Sequence, residues 1–521
     1  MYLPKQLVRL TPFVVLASAA CPDYSDYSQQ YHSPFSSGAY NLSYQRPTPA
    51  CRTFNSSAVE DVVTRMQSEI IDPDLYRLFQ NSYPNTLDTA VKWKGYSNTT
   101  GEELTFLITG DINAMWLRDS ANQMQSYLPV LNASSSPDSI ASLYRGVINL
   151  QARYLLTSPY CNSFQPPVES GIQPSENGAA SNDDVKPAYN NQSVFECKYE
   201  LDSLAAFLEV SSNYYNATND SAFFSKYSWV NAVNAVLNTA TSMFTPTYAD
   251  DGSVNDSPYT FTRDTTRASE TLENDGLGNP VQAGTGLIRS AFRPSDDATI
   301  YQLFIPANMM FSRYLASASL IASAIGQDAL AANMSSLASS LREAISSYGI
   351  VPTAQHGSLY AYEVDGYGSQ NIMDDANIPS LLAAPFFGYL DADDAEYQAT
   401  RKVLLSSSNP YFMRGPVINA IGGAHNGPRY AWPMASIVRI FTSSDEAEIV
   451  GTLKEIVSST DGLGLIHESI NSFNQSDWTR QWFSWANGLF GQMILDLNDR
   501  MPQVLKQNYQ PANATSKRWV A

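Results

Sequence analysis

Four histidines and four cysteines are all that this 521-residue chain offers for soft-metal or thiol chemistry. No cysteine pair has C-x-x-C spacing, and no second histidine completes an H-E-x-x-H from His467-Glu468, so the zinc patterns are absent. Charge is scarce as well. Only 16% of residues are Asp, Glu, Lys or Arg, with 31 basic against 50 acidic and a net charge of −19. Such a surface repels a phosphate backbone and argues against nucleic-acid binding. No apolar run reaches the ~18 residues of a membrane helix, so no membrane span is expected. A phosphate-binding loop, a dinucleotide fingerprint and a G-x-S-x-G elbow are missing, which leaves phosphoryl, hydride and acyl chemistry without support. What is plentiful is apolar and aromatic: 44% hydrophobic residues, 31 Tyr and 8 Trp. That suffices for a large core and for surfaces suited to neutral polar ligands.

The N-terminus reads as an export signal. Lys5 and Arg9 precede a short apolar stretch, Leu10–Ala20, that contains the A-x-A-like Ala17-Ser18-Ala19. A signal peptide over 1–19 and a secretory or cell-wall destination are therefore expected. Eleven N-x-S/T sequons, among them Asn41, Asn98, Asn191, Asn474 and Asn513, point the same way. In that setting the cysteines are expected as disulfides, with Cys161–Cys197 closing a loop rich in Pro, Gly and Asn and Cys21–Cys51 tying down the N-terminal segment; four cysteines allow three connectivities.

Residues 20–57, rich in Ser, Tyr and Pro without a period, read as a surface arm. Helical periodicity begins at a capping box, Ser57-x-x-Glu60, followed by Val59, Val62, Val63, Met66 and Ile70 on one face. Similar segments recur near 119–131, 138–157, 200–214, 229–244, 307–325, 328–347, 376–386, 394–407, 431–442, 445–458 and 481–498. Leu104–Thr109 and Leu359–Val364 read as short strands, and the longest loops fall near 158–195 and 245–300. The expectation is an all-α fold in one domain over 58–500, followed by a tail over 501–521. A dozen helices can close as an (α/α)6 barrel with long loops and a few short strands. A solenoid is disfavoured because no repeat of fixed length is found.

Three segments concentrate groups that engage polar ligands. Thr109–Ser120 (TGDINAMWLRDS) places Arg118 and Asp119 at a helix N-terminus, where an Arg–Asp pair can hold vicinal hydroxyls. Phe292–Ala298 (FRPSDDA) sets two carboxylates side by side, which raises one pKa and suits an acid. Ser295 or Asp296 is the natural cap of a following helix, and this leaves Asp297 favoured as proton donor. Gly462–Ser469 carries Glu468 in a glycine-rich loop ahead of Trp478, Trp482 and Trp485, a carboxylate near aromatic faces that can stack on sugars. Each segment also has a plain structural reading as cap, ion pair or core. Asp374-Asp375, Asn377 and Gly422–His425 read as cleft rim or ordinary turns. Separated carboxylates with aromatics make glycoside hydrolysis the best-supported chemistry.

The same motifs, with Ile305–Met309 (IPANM) and Trp482–Asn487 (WFSWAN), resemble glycoside hydrolase family 125, exo-acting α-1,6-mannosidases. The resemblance spans about 58–500. It implies an (α/α)6 barrel, hydrolysis without metal or other cofactor, and inversion at the anomeric carbon. It also implies that Asp296 or Asp297 is the general acid and Glu468 the general base. Arg118 and Asp119 would hold the terminal mannose, with Arg293, His467, Trp482 and Asn487 nearby. The implied partner is an α-mannoside or glycan, and a monomer is expected. Competing readings are an (α/α)6 α-glucosidase or trehalase-like enzyme, a glycan-binding protein without catalysis, and a helical scaffold for other proteins.

Overall fold

The computed structural model describes residues 21–511. The expected signal peptide, the Asn513 sequon and positions 512–521 of the expected tail lie outside the described residues. Within them, twelve helices of nine residues or more carry the architecture. They are α1 Ser57–Glu69, α2 Pro73–Ser82, α3 Leu117–Gln125, α4 Ile140–Thr157, α5 Leu201–Thr218, α6 Trp229–Ser242, α7 Ile305–Ala324, α8 Asp328–Ala344, α9 Ala395–Leu404, α10 Pro433–Phe441, α11 Glu446–Ser458 and α12 Ser484–Arg500. The strands are short, paired antiparallel in sheets of two or three, and lie in the connections.

Burial sorts these helices into two kinds. α5 is buried without interruption from Leu201 to Ser212, and α7 from Ile305 to Ser312. Helices enclosed on every side belong to the interior. α8, in contrast, buries only Met334, Ala338, Leu341 and Ala344, and α11 only Ile449, Thr452, Leu453, Ile456 and Val457. Those spacings of three and four make a single stripe on a helix that faces solvent elsewhere. α3 packs on α5, α5 on α7, and α10 on α12, while α12 returns to α2 and α3, so the two ends of the helical order meet.

Several expectations are corrected here. The segment 376–386 is a run of turns, not a helix. Pro379 and Pro385 lack the N–H a helix needs, and the buried Asp374 carboxylate takes the N–H groups of Leu381 and Leu382 at 2.9 Å each. The helix not foreseen is α2. Its signal is Asp72-Pro73: Asp72 accepts from the N–H groups of Asp74 and Leu75 at 3.0 Å each, and Pro73 fills the first position. Ser57-x-x-Glu60 does not cap α1. Glu60 reaches across to Arg46 and to Arg52 (2.9 Å). Leu359–Val364 divides into two strands, Gly357–Tyr360 and Glu363–Val364.

Within the expected surface arm, residues 42–47 are packed into the body. Leu42, Ser43 and Gln45 are fully buried, Ser43 N–H donates to the Gly462 carbonyl at 2.9 Å, and Gln45 N–H donates to Asn81 at 3.0 Å. The first residues after 500 are fixed too, with Val504, Leu505 and Tyr509 buried. Both expected disulfides are present, Cys21–Cys51 and Cys161–Cys197. The second joins the two walls on which Asn162 and Lys198 sit, and Lys198 N–H donates to the Asn162 side chain at 3.1 Å.

Candidate active site

Asp296 stands at the tip of a tight turn closed by the antiparallel bridge between Phe292 and Ala298. No helix begins at once after it, so the capping argument that favoured Asp297 does not apply. Its φ of 65° is the left-handed conformation that Asp tolerates better than most residues. The geometry aims the two carboxylates differently. Asp297 is buried (side chain 1% exposed), accepts from Ser295 Oγ at 3.0 Å and lies 3.9 Å from His425. The Asp296 side chain is 22% exposed and lines a cavity of about 590 Å³. Asn162 Nδ2 donates to its Oδ1 at 2.8 Å and Trp116 Nε1 at 3.3 Å.

Glu468 lines the same cavity from the opposite end of the chain. It immediately precedes the strand Ser469–Asn471, which pairs with Asn474–Thr479 and with Tyr430–Ala431. Thr479 Oγ1 donates to Glu468 Oε2 at 2.8 Å, and Arg480 Nη1 lies 3.3 Å from Oε1. Arg480 is itself held by Asp111 (2.7 Å) and Thr109 Oγ1 (3.0 Å), which couples the loop of Glu468 to the TGDIN segment. Gly110 makes this approach possible: at φ 146°, a Cβ there would sit 2.2 Å from the Trp482 carbonyl oxygen. At Gly464, φ 72°, a Cβ would sit 3.0 Å from both Asn81 Nδ2 and the Ser43 carbonyl oxygen.

Arg118 and Asp119 also face the cavity. Arg118 is not mainly paired with its neighbour. Its Nη1 is bound by Glu200 and by Asp202 (3.0 Å), whereas Asp119 is 3.7 Å away. Burial raises the Asp119 carboxyl to about 6 against the pull of Arg118, with the nearby Asp296 charge adding to the rise. Glu200 and Asp296 lie side by side, both accepting from Asn162 Nδ2 (3.3 and 2.8 Å). Burial would raise Asp296, but Arg118, Lys198 and the neighbouring Glu200 outweigh it and leave Asp296 below its ordinary value. Burial lifts Glu200 well above its own, and the Asp296 charge adds to that. Two carboxylates held this close resist ionising together, so the pair is suited to share one proton.

Four expected sugar contacts are not at the cavity wall. Arg293 is buried against Glu363 (2.6 Å) and over the Tyr362 ring, anchoring the base of the Asp296 turn. His467 stacks on Trp478 at 4.7 Å, and burial lowers it to about 4, so it is neutral. Trp482 is buried and donates Nε1–H to Thr89 at 3.1 Å. Asn487, fully buried, accepts from Ile466 N–H at 2.9 Å and donates to the Ile466 and Phe483 carbonyls at 2.9 and 2.8 Å. All four support the residues that reach the cavity. Trp485 is core.

The aromatic faces in the cavity belong instead to Trp116, Phe195, Trp432 and Phe483, and Trp432 Nε1 has no partner among the described residues. Lys198, Arg263, Glu196, Glu270 and Arg480 line it too, as do Asn377 and His425 from segments read only as rim or turns. Lys198 and Glu196 could have been suspected, since the Cys161–Cys197 pair brings their loop to the first motif. Among the described residues no group of three or more His, Cys, Asp or Glu is placed to hold a metal ion. Nor is any helix there long and apolar enough to cross a membrane.

The model of the metal-independent α-mannosidases, GH125, matches residues 72–495. The meiotically up-regulated gene 157 protein of Schizosaccharomyces pombe is 46% identical over 491 residues, covering 94% of this chain and 95% of that protein. A Streptococcus pneumoniae metal-independent α-mannosidase, solved as a non-productive complex with α-1,6-mannobiose, superposes with a TM-score of 0.76 at 35% identity. That match covers 86% of this chain and 100% of the bacterial one.

Proposed function

This chain belongs to glycoside hydrolase family 125, the metal-independent α-mannosidases, and on that premise we propose that it is an exo-acting α-1,6-mannosidase that inverts the anomeric centre. The observation that carries the proposal is that Asp296 and Glu468, 172 positions apart in sequence, line one cavity of about 590 Å³. That volume lies within the range of small-ligand sites. In this reading the Glu200–Asp296 pair delivers its proton through Asp296 to the glycosidic oxygen as the C1–O bond breaks. Glu468, held by Thr479 and Arg480, takes a proton from the water that attacks C1 from the opposite face. The products are mannose and the shortened glycan; Glu468 then gives a proton to solvent and the Glu200–Asp296 pair takes one up, so the site resets with no net proton exchanged. Trp116, Trp432 and Phe483 offer faces for the sugar ring, and Arg118 and Asp119 offer directed polar contacts.

The burial pattern supports an (α/α)6 arrangement, with α3, α5, α7, α10 and α12 inside. The turns around Asp374 would take the sixth inner place, between α7 and α10. Two disulfides support export through an oxidising compartment, as do nine exposed sequon asparagines among the described residues. The test of specificity is a panel of α-1,6-mannobiose, α-1,2-mannobiose and α-linked glucose disaccharides. Mannose release from the first with the others slower by at least ~100-fold is expected. Preferential cleavage of a glucoside would replace the proposal with the α-glucosidase reading.

A further inference from the structure

A second, larger cavity of about 1080 Å³ adjoins the first, and Ser175, Glu176, Asn177 and Phe195 face both. We propose that it receives the part of an extended neutral glycan that lies beyond the first leaving-group sugar, so that the protein binds several sugar residues beyond the one it removes. The inference rests on the assignment of Asp296 as the acid, because that assignment fixes direction. The oxygen that leaves must lie against Asp296. From there the wall continues through Trp116, whose Nε1 donates to Asp296 at 3.3 Å, to Phe195, which meets Trp116 edge-on at 5.5 Å between ring centres. Phe195 is the threshold of the larger cavity. Glu468 and its partners Thr479, Arg480 and Asp111 do not border it.

The lining is chemically specific. Amides and a phenol (Gln173, Asn190, Gln192, Tyr189) stand with acidic side chains, and no lysine or arginine is among them. Hydroxyl-rich neutral sugars find donors, acceptors and a stacking face there, whereas phosphorylated or sulfated glycans meet repulsion. The wall is also built in advance. Gln165 and Ser175 exchange two hydrogen bonds of 2.9 Å each, and Asn177 Nδ2 donates to the Phe195 carbonyl at 3.1 Å. Arg263, itself at the smaller cavity, ties Asp183 to Glu196 at 2.7 Å each. A groove already held open loses less ordering entropy when a glycan enters.

The test compares wild type with the double variant Tyr189→Ala/Gln192→Ala on α-1,6-mannobiose and α-1,6-mannopentaose, in both turnover and calorimetric binding. All protein is treated with endoglycosidase, since Asn191 heads a sequon at the same rim. Wild type is expected to favour the pentaose in kcat/KM by about tenfold, as a lost stack or two lost hydrogen bonds would cost. The double variant is expected to lose that preference and to hold its mannobiose rate within about twofold of wild type. Equal wild-type rates on the two glycans would overturn the inference while leaving the mannosidase reading intact, and so would a variant that slows both substrates alike. Length-dependent binding that the variant abolishes, without mannose release by wild type, would support the groove and overturn the mannosidase reading.

Discussion

Replacing Asn487 with alanine separates a residue that touches sugar from one that holds the protein around it. The Asn487 amide accepts from Ile466 N–H and Ser82 Oγ, and donates to the carbonyls of Ile466 and Phe483. Phe483 O keeps the N–H of residue 487 as a helical partner (3.2 Å), so its loss is partial. Ile466, which is 1% exposed, has both backbone groups paired with this one side chain. Alanine leaves both buried and unmatched, at ~1–3 kcal/mol each, so the substitution costs about 2–6 kcal/mol. That is a large share of the ~5–15 kcal/mol that holds a typical protein folded. Urea unfolding followed by circular dichroism should show the midpoint falling accordingly at unchanged slope. Activity should decline with it, because Ile466 is two residues from Glu468. An unfolding free energy within about 0.5 kcal/mol of wild type, combined with a loss in kcat/KM beyond ~100-fold, would refute the reasoning and return Asn487 to the substrate.

Two further outcomes are expected. Glu200→Gln removes the proton that Glu200 shares with Asp296, so the alkaline limb of the kcat/KM profile should move to lower pH and kcat should fall by about 10²–10⁴-fold; an unmoved limb would contradict the shared proton. Burial raises Glu209 to about 8, so it is protonated when folded and ionised when unfolded between its ordinary value near 4.5 and about 8. Its stabilising contribution is complete at the acid end of that window and is lost as pH rises through it. The stability difference between wild type and Glu209→Gln should therefore change by a few kcal/mol between pH 5 and pH 8, measured from urea midpoints, and a constant difference would rule this out.

The periodic helices were readable because their burial is one-sided or complete over many residues, as in α8 and α5. What the sequence concealed depends on contacts far apart in the chain. Segment 376–386 has helix-like spacing, yet the Asp374 carboxylate captures its amides and two prolines interrupt it. Glu60 sits where a capping partner belongs, yet Arg46 and Arg52 win it. At the site, the carboxylates at 296 and 468, drawn from two separate motifs, line one cavity. Which acidic residue of the doublet faces that cavity depends on a left-handed turn that periodicity does not reveal. The same limit applies to Trp482 and Asn487. They lie in a recognisable motif, and only the packing shows that they carry the wall. Phe195 and Trp432 lay in stretches without any motif, and folding alone brings them to the cavity.

The most direct measurement is proton NMR of α-1,6-mannobiose during the first minutes of reaction, with wild type and Glu468→Gln side by side. The account predicts β-mannose as the first product of wild type, with its α form appearing only by mutarotation, and no turnover in the variant despite retained mannobiose binding. First release of α-mannose, or near-normal turnover by Glu468→Gln, would contradict it.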